Sequence, residues 1–233
     1  MARMTFLGTK GEVAEAPEGH QYHSSLMVEV GDFRLVIDYG EVRRYSLEEL
    51  APTAVLITHA HPDHYAWLNE DIRINAPVYL TGETLEYGKY RPGNATVIEP
   101  GRPFDVGPAE VCAYWVVHSI RCPAVGFRLR VNDRTLVYNP DLVDIVDKER
   151  VLHGVDYYIG DGSSIKTNLV RRRGDTLFGH TRITTQVHWC EKYGIPNIYF
   201  THLGSETLQR EPEFEKECGK ATLARDGMVM DIT

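Results

Sequence analysis

Apolar residues fall in short runs along the chain, most of them closed by glycine, aspartate, asparagine or histidine. That is the pattern of buried strands rather than of long helices. The first run is 5–8. Runs 26–30 and 33–37 flank Gly31-Asp32, the signal of a tight hairpin. Further strand-like runs lie at 54–58, 77–80, 111–117, 155–159, 197–201 and 228–232. Another pair, 124–131 and 134–138, meets across Asn132-Asp133. The turn-rich stretch 91–107 predicts two edge strands. Helix signals are fewer. Ser46 and Glu49 form a capping-box pattern over 46–50. A short helix is predicted at 83–87, and 211–224 is read as helical. The clearest helix is 181–193, where Ile183, Val187 and Cys190 recur at helical spacing and Gly194 ends the pattern. Residues 8–19 form a polar loop and 166–174 a basic one. With no linker, repeat or low-complexity tract, the pattern predicts a single α/β domain spanning 1–233.

Composition narrows the class. A hydrophobic fraction of 42% and a charged fraction of 25% are those of a globular protein in water. No run approaches the ~18 apolar residues of a membrane span, and no signal peptide is visible at the start. The four cysteines, Cys112, Cys122, Cys190 and Cys218, form no C-x-x-C pair, which points to a reducing cytoplasm rather than a disulfide framework. The net charge of −8 argues against a broad nucleic-acid-coating surface and leaves room for a local basic patch.

The chemistry concentrates in His59-Ala60-His61-Pro62-Asp63-His64, directly after the apolar run 54–58. Imidazole nitrogen and carboxylate oxygen are the donors that suit Zn²⁺, Mn²⁺ or Fe. Asp38, His118, Asp141 and His202 also follow apolar runs. In layered α/β proteins, sites collect where loops leave the ends of strands. The repeated placement predicts one sheet edge converging on one site.

In these motifs, taken in order, the sequence resembles the metallo-β-lactamase fold superfamily, an αββα sandwich of two mixed sheets flanked by helices. The resemblance runs from about Met4 to about Ser205. It implies that His59, His61, His118 and Asp141 hold one divalent metal and that Asp63, His64, Asp141 and His202 hold a second. Asp141 would bridge them, and Asp38 would orient ligand histidines from behind. Zinc is the first choice, with manganese or iron as alternatives. His64 stands where β-lactamases of the common class carry arginine, which favours two metals. His61 stands where flavodiiron proteins carry glutamate, which argues against oxygen reduction. His180, before the helix leading to His202, is similar to a histidine that faces the scissile phosphate in RNase Z and phosphoribosyl cyclic phosphodiesterases. The free N–H groups at a helix start favour an anion there.

The expected activity is therefore a two-metal phosphodiesterase acting on a cyclic phosphate or nucleotide, or on an RNA or DNA end. A hydroxide held between the metals would attack, His180 would stabilise the phosphate, and Asp63 would accept the nucleophile's proton. The short span from His118 to Asp141 leaves no room for the tRNA-clasping arm of RNase Z. The alternatives are a thioester or lactone hydrolase of the glyoxalase II or lactonase kind, and a non-catalytic metal-binding protein. The resemblance also suggests a homodimer. His20, His23, Arg173 and Ser205 are candidate substrate contacts. Glu206 is a further candidate at the pocket. Lys166, Arg171, Arg172 and Arg182 extend the basic patch, and Asp161 is either a supporting carboxylate or a turn former. Trp67, Trp115 and Trp189 are expected to pack, and His153 and His188 to lie outside the site.

Overall fold

The computed structural model describes residues 2–233. Two mixed β-sheets carry the fold. The first runs, edge to edge, through Val229–Ile232, Ala2–Gly8, Ser25–Val30, Phe33–Ile37, Ala54–Leu56, Val78–Leu80 and Ala95–Val97. The second runs through Asp144–Ile145, Ala109–Val117, Ala124–Val131, Arg134–Tyr138, Tyr157–Asp161, Asn197–Thr201 and Thr222–Leu223. Phe104–Val106 pairs with the long strand Ala109–Val117.

Period-2 alternation explains how the sheets stack. Met4, Phe6, Leu35 and Leu56 of the first sheet meet Val111, Phe127, Leu129 and Ile159 of the second in one buried cluster. The outer face of the second sheet packs Tyr158 and Phe200 against Ile183 and Cys190 of the helix Ile183–Tyr193. The outer face of the first sheet packs Val36 and Val55 under Leu47, Leu50 and Trp67. Helices thus cover both outer faces of two packed mixed sheets, the αββα layering expected from the sequence.

Local signals behave as their chemistry requires. Ser46 caps Leu47–Leu50 in a reciprocal box with Glu49. Gly194, at φ +66°, ends the helix Ile183–Tyr193. Two expectations are corrected. The span 211–224 is not one helix: Pro212 lies in a 3₁₀ turn, Phe214–Cys218 is a short helix, and Gly219 at φ +61° releases the chain into the strand Thr222–Leu223. The basic loop 166–174 holds the strand Arg171–Arg173, which pairs with Thr176–Phe178 outside both main sheets. Among the described residues no helix is long and apolar enough to cross a membrane.

Candidate metal centre

Strand direction brings the chemistry together. Phe33–Ile37 and Ala54–Leu56 run parallel, as do Arg134–Tyr138, Tyr157–Asp161 and Asn197–Thr201. Their C-terminal ends therefore share an edge, and Asp38, the 59–64 loop, Asp141, Asp161 and His202 leave from it. Asp38 and His202 turn out of their strands at φ +63° and +54°. Left-handed backbone is costly for a residue with a Cβ and collects at functional sites.

His59, His61, His118 and Asp141 form the first group. His61 Nδ1 lies 2.9 Å from His59 Nε2 and 3.2 Å from His118 Nε2. His59 Nε2 lies 3.3 Å from Asp141 Oδ2. The far side of each buried ring is already used. His118 Nδ1 faces the Gly179 carbonyl at 3.2 Å, and His59 Nδ1 faces Thr58 Oγ1 at 3.0 Å. Each therefore carries its proton on Nδ1 and turns the Nε2 lone pair inward. Burial depresses all three histidines, His61 to about 4, with His118 adding to the shift at His61. Three neutral imidazoles aim lone pairs at one point, an arrangement that protons satisfy poorly and a cation satisfies well.

Asp63, His64, Asp141 and His202 form the second group. His202 Nε2 lies 2.9 Å from Asp63 Oδ2, and His64 Nε2 lies 2.8 Å from Asp141 Oδ2. His64 Nε2 and Asp141 Oδ1 are buried without a hydrogen-bond partner. Burial opposes ionisation of both carboxyls, yet His64 and His202 at Asp63, and His202 with His118, His180 and His59 at Asp141, outweigh it and hold both well below the usual range. Burial likewise opposes charge on His64, but Asp63 and Asp38 prevail and hold it well above the ordinary value. At His202 the carboxylates overcome burial and raise it to about 9. Carboxylates that draw protons onto buried histidines are sites where a divalent cation could supply the charge instead. The orphaned donor atoms and the N₃O and N₂O₂ donor sets fit two divalent metals.

Behind these groups stand two buried carboxylates. Asp38 accepts from His64 Nδ1 at 2.8 Å, from the Thr58 N–H at 2.8 Å and from Thr58 Oγ1 at 2.9 Å. Asp161 accepts from His180 Nδ1 at 2.8 Å, from the Leu142 N–H at 3.0 Å and from the Ser163 N–H at 2.8 Å. Gln186 clamps the Asp161 backbone, donating to its carbonyl at 2.7 Å and accepting from its N–H at 3.1 Å. His180 Nδ1 also lies 3.1 Å from Asp141 Oδ1. The ring stacks on His202 with 5.6 Å between centroids and leaves 24% of the side chain exposed. Burial disfavours its charge, but Asp161 and Asp141 overcome that and push His180 up to about 11.

The other sequence candidates are not members of the clusters, although His23 lies close enough to feel the charges of Asp63, His64 and His202. His20 is fully buried, with Nδ1 2.9 Å from Thr9 Oγ1 and Nε2 3.4 Å from Glu211. It fastens the N-terminal loop to the C-terminal segment and does not line a pocket mouth. His23 is also buried; its Nδ1 accepts from the Val42 N–H at 3.2 Å, and burial lowers it to about 4. Arg173 is exposed on the small hairpin. Ser205 opens the helix Ser205–Gln209, beside a surface depression with Ala14, Pro17 and Leu208. Glu206 is turned to the backbone, accepting from the Lys166 N–H at 3.1 Å. Two supports carried no strong sequence signal. The Ala60 N–H donates to buried Cys122 Sγ at 3.1 Å, tying down the 59–64 loop. Gly11 packs so closely on His202 that a Cβ would stand 2.8 Å from the ring.

Comparison with known proteins agrees with this geometry. The sequence family described as "Beta-lactamase superfamily domain" matches residues 21–159, more than half of the chain. No curated protein sequence matches. Among solved structures, a diphosphatase from the PhnP family is 19% identical, with TM-score 0.74, covering 100% of this chain and 98% of its own. Zn²⁺-bound PqqB from Methylobacterium extorquens is 16% identical, with TM-score 0.72, covering 99% and 100%. Human tRNase Z, short form, is 16% identical, with TM-score 0.70, covering 99% of each chain. At such identities the likeness is one of fold. With a family match over more than half its length, the chain belongs to the beta-lactamase superfamily and carries the metallo-β-lactamase fold.

Proposed function

We propose that the chain is a metal-dependent hydrolase that cleaves phosphodiester bonds, with one hydrolase domain spanning its length. His59, His61, His118 and Asp141 would hold one divalent ion, and Asp63, His64, Asp141 and His202 the other. Zinc is the expected metal. Bound there, two such ions would supply Lewis acidity toward a phosphoryl oxygen and lower the pKa of a water.

The observation that carries the phosphodiester reading is the state of His180. Its Nδ1 donates to Asp161, with Asp141 Oδ1 nearby at 3.1 Å, so Nε2 is the ring donor left for a substrate. Asp161 keeps the ring charged, and the Ser163 hydroxyl at 3.1 Å steadies the same Nδ1. A fixed imidazolium beside the ligand clusters suits a phosphate oxygen, and it can pass a proton to a leaving alkoxide. Asp63, an ionised carboxylate between His64 and His202, would accept a proton from the attacking water. Asp38 touches no reacting atom; it sets the tautomer and direction of His64. The diphosphatase and the tRNase Z among the structural relatives support phosphate chemistry, and the Zn²⁺-bound relative supports the metal.

The test is turnover of bis(p-nitrophenyl) phosphate, a thioester and a lactone by metal-loaded wild type and His180→Ala. The diester rate is expected to fall about 10²–10³-fold in the variant while both metals remain bound. Ester turnover indifferent to His180, with no diester cleavage, would assign the site to a thioester or lactone hydrolase instead.

A further inference from the structure

The hairpin Arg171–Arg173/Thr176–Phe178 stands outside both sheets and pairs Arg171 with Phe178, Arg172 with Leu177 and Arg173 with Thr176. Residues 171–177 are all exposed, so the core gains almost nothing from them. Two three-residue strands are at best marginal by themselves. Packing thus gives no reason for three consecutive arginines in a chain of net charge −8. Among the described residues none of the three is ion-paired, whereas Lys166 is committed to Glu217 at 2.9 Å.

The base of the hairpin is fixed to the metal centre. The Gly179 N–H donates to the His118 carbonyl at 2.8 Å, and the Gly179 carbonyl faces His118 Nδ1 at 3.2 Å. Gly179 sits at φ +104° against the Leu169 carbonyl, where no side chain fits. Arg171 lies opposite Phe178, two residues before His180, and so within roughly 12 Å of it. Arg171 and Arg173 share one face of the ribbon and Arg172 takes the other. The two on one face are roughly 7 Å apart, or two steps of a stacked strand at about 3.4 Å per nucleotide.

We propose that this hairpin is a docking arm for the phosphate backbone of a single-stranded nucleic-acid end, with Arg171 and Arg173 holding the nucleotides beside the bond presented to His180. The proposal rests on the phosphodiesterase reading and names its substrate class. A small cyclic phosphate would end at His180 and leave the arm unused. A duplex would bring further phosphates against a chain of net charge −8, which repels them.

The test measures kcat/KM of the metal-loaded protein for a short fluorescent single-stranded oligonucleotide and for bis(p-nitrophenyl) phosphate, between 50 and 200 mM NaCl. Two phosphate contacts on a single strand predict about a 7-fold fall for the oligonucleotide across that range. Arg171→Ala/Arg173→Ala should lower the oligonucleotide-to-diester ratio at least 10-fold and flatten the log–log salt slope by about 1.4. Arg172→Ala should do less, and Arg171→Lys/Arg173→Lys should recover most of the ratio. An unchanged ratio and slope in the double alanine variant, with the diester still cleaved, would overturn the arm and leave the phosphodiesterase reading standing. Wild type that cleaves neither substrate would overturn both.

Discussion

Asp38–His64 in the first sheet and Asp161–His180 in the second are built alike and end differently. Each carboxylate is fully buried at a strand end, accepts backbone N–H donors and takes an imidazole Nδ1 at 2.8 Å. His64 has no exposure, and its Nε2 points into the ligand cluster toward Asp141 and Asp63. His180 is partly exposed, and its Nδ1 already faces inward. The electrostatics follow. At Asp38 burial prevails over His64 and Thr58 and lifts the carboxyl above its usual range. At Asp161 the charge and hydrogen bond of His180 overcome burial and bring the carboxyl to about 2. One device aims a ring nitrogen at buried carboxylates, where a divalent cation would take the place of its proton, and the other maintains a cation toward an anion. What separates them is whether the Nε2 that the carboxylate leaves free meets protein, as at His64, or lies on a partly exposed ring, as at His180.

The sharpest break of this comparison is His64→Ala against His180→Ala. The first should lose bound metal, counted by atomic emission, and at least about 10³-fold in diester turnover. The second should keep its metals and lose rate only. Equal metal loss in both would erase the distinction.

The carboxylates come next. Asp38→Asn should weaken metal binding about 10–100-fold, read by competition with a chromogenic chelator. Asp161→Asn should leave that affinity nearly unchanged and lower kcat. Metal affinity falling as far in Asp161→Asn as in Asp38→Asn would show that the second pair also serves the ligands.

A pH profile separates them further. His180, raised to about 11, is charged on the acid side of that value. Its contribution to folding is therefore fully present below its unfolded value of about 6.5 and is lost as pH rises through about 11. Activity that needs the imidazolium should decline on the alkaline side only. Asp161→Asn, which removes the first-ranking charge that opposes burial, should move that alkaline limb to lower pH. A limb that stays in place would assign it to another group.

The smallest effect is expected at Thr58→Val. It removes the hydroxyl between Asp38 and His59 but keeps the backbone donor. A fewfold loss of metal affinity, of the order of 1 kcal/mol, is the expected result, and a loss as large as that of Asp38→Asn would make the hydroxyl the main support.

Much of this molecule is legible along the chain. Alternation and turn residues mark the hairpins at Gly31-Asp32 and Asn132-Asp133, because strand periodicity and tight turns are local properties. The histidines and aspartates of both clusters announce themselves by following apolar runs. That rule holds because strands leaving a parallel edge must deliver their next residues to the same place. The helix expected over 211–224 failed for a local reason as well, since Pro212 and Gly219 outweigh its polar-apolar spacing.

Other features depend on contacts distant in sequence. His20 and His23 look equivalent in one loop, yet only the folded chain pairs His20 with Thr9 and Glu211 and seats His23 under Val42. Asp161 stays open between a supporting carboxylate and a turn residue until Leu142, Ser163 and His180 close around it. The three arginines read as part of a basic loop until Thr176–Phe178 pairs with them and Gly179 anchors the hairpin to His118. Periodicity along the sequence determined the strands and the order of the donors, because each depends on near neighbours. Which histidine faces inward and which remains open was decided by tertiary structure, because burial and the partner of each ring nitrogen come from segments far away in the chain.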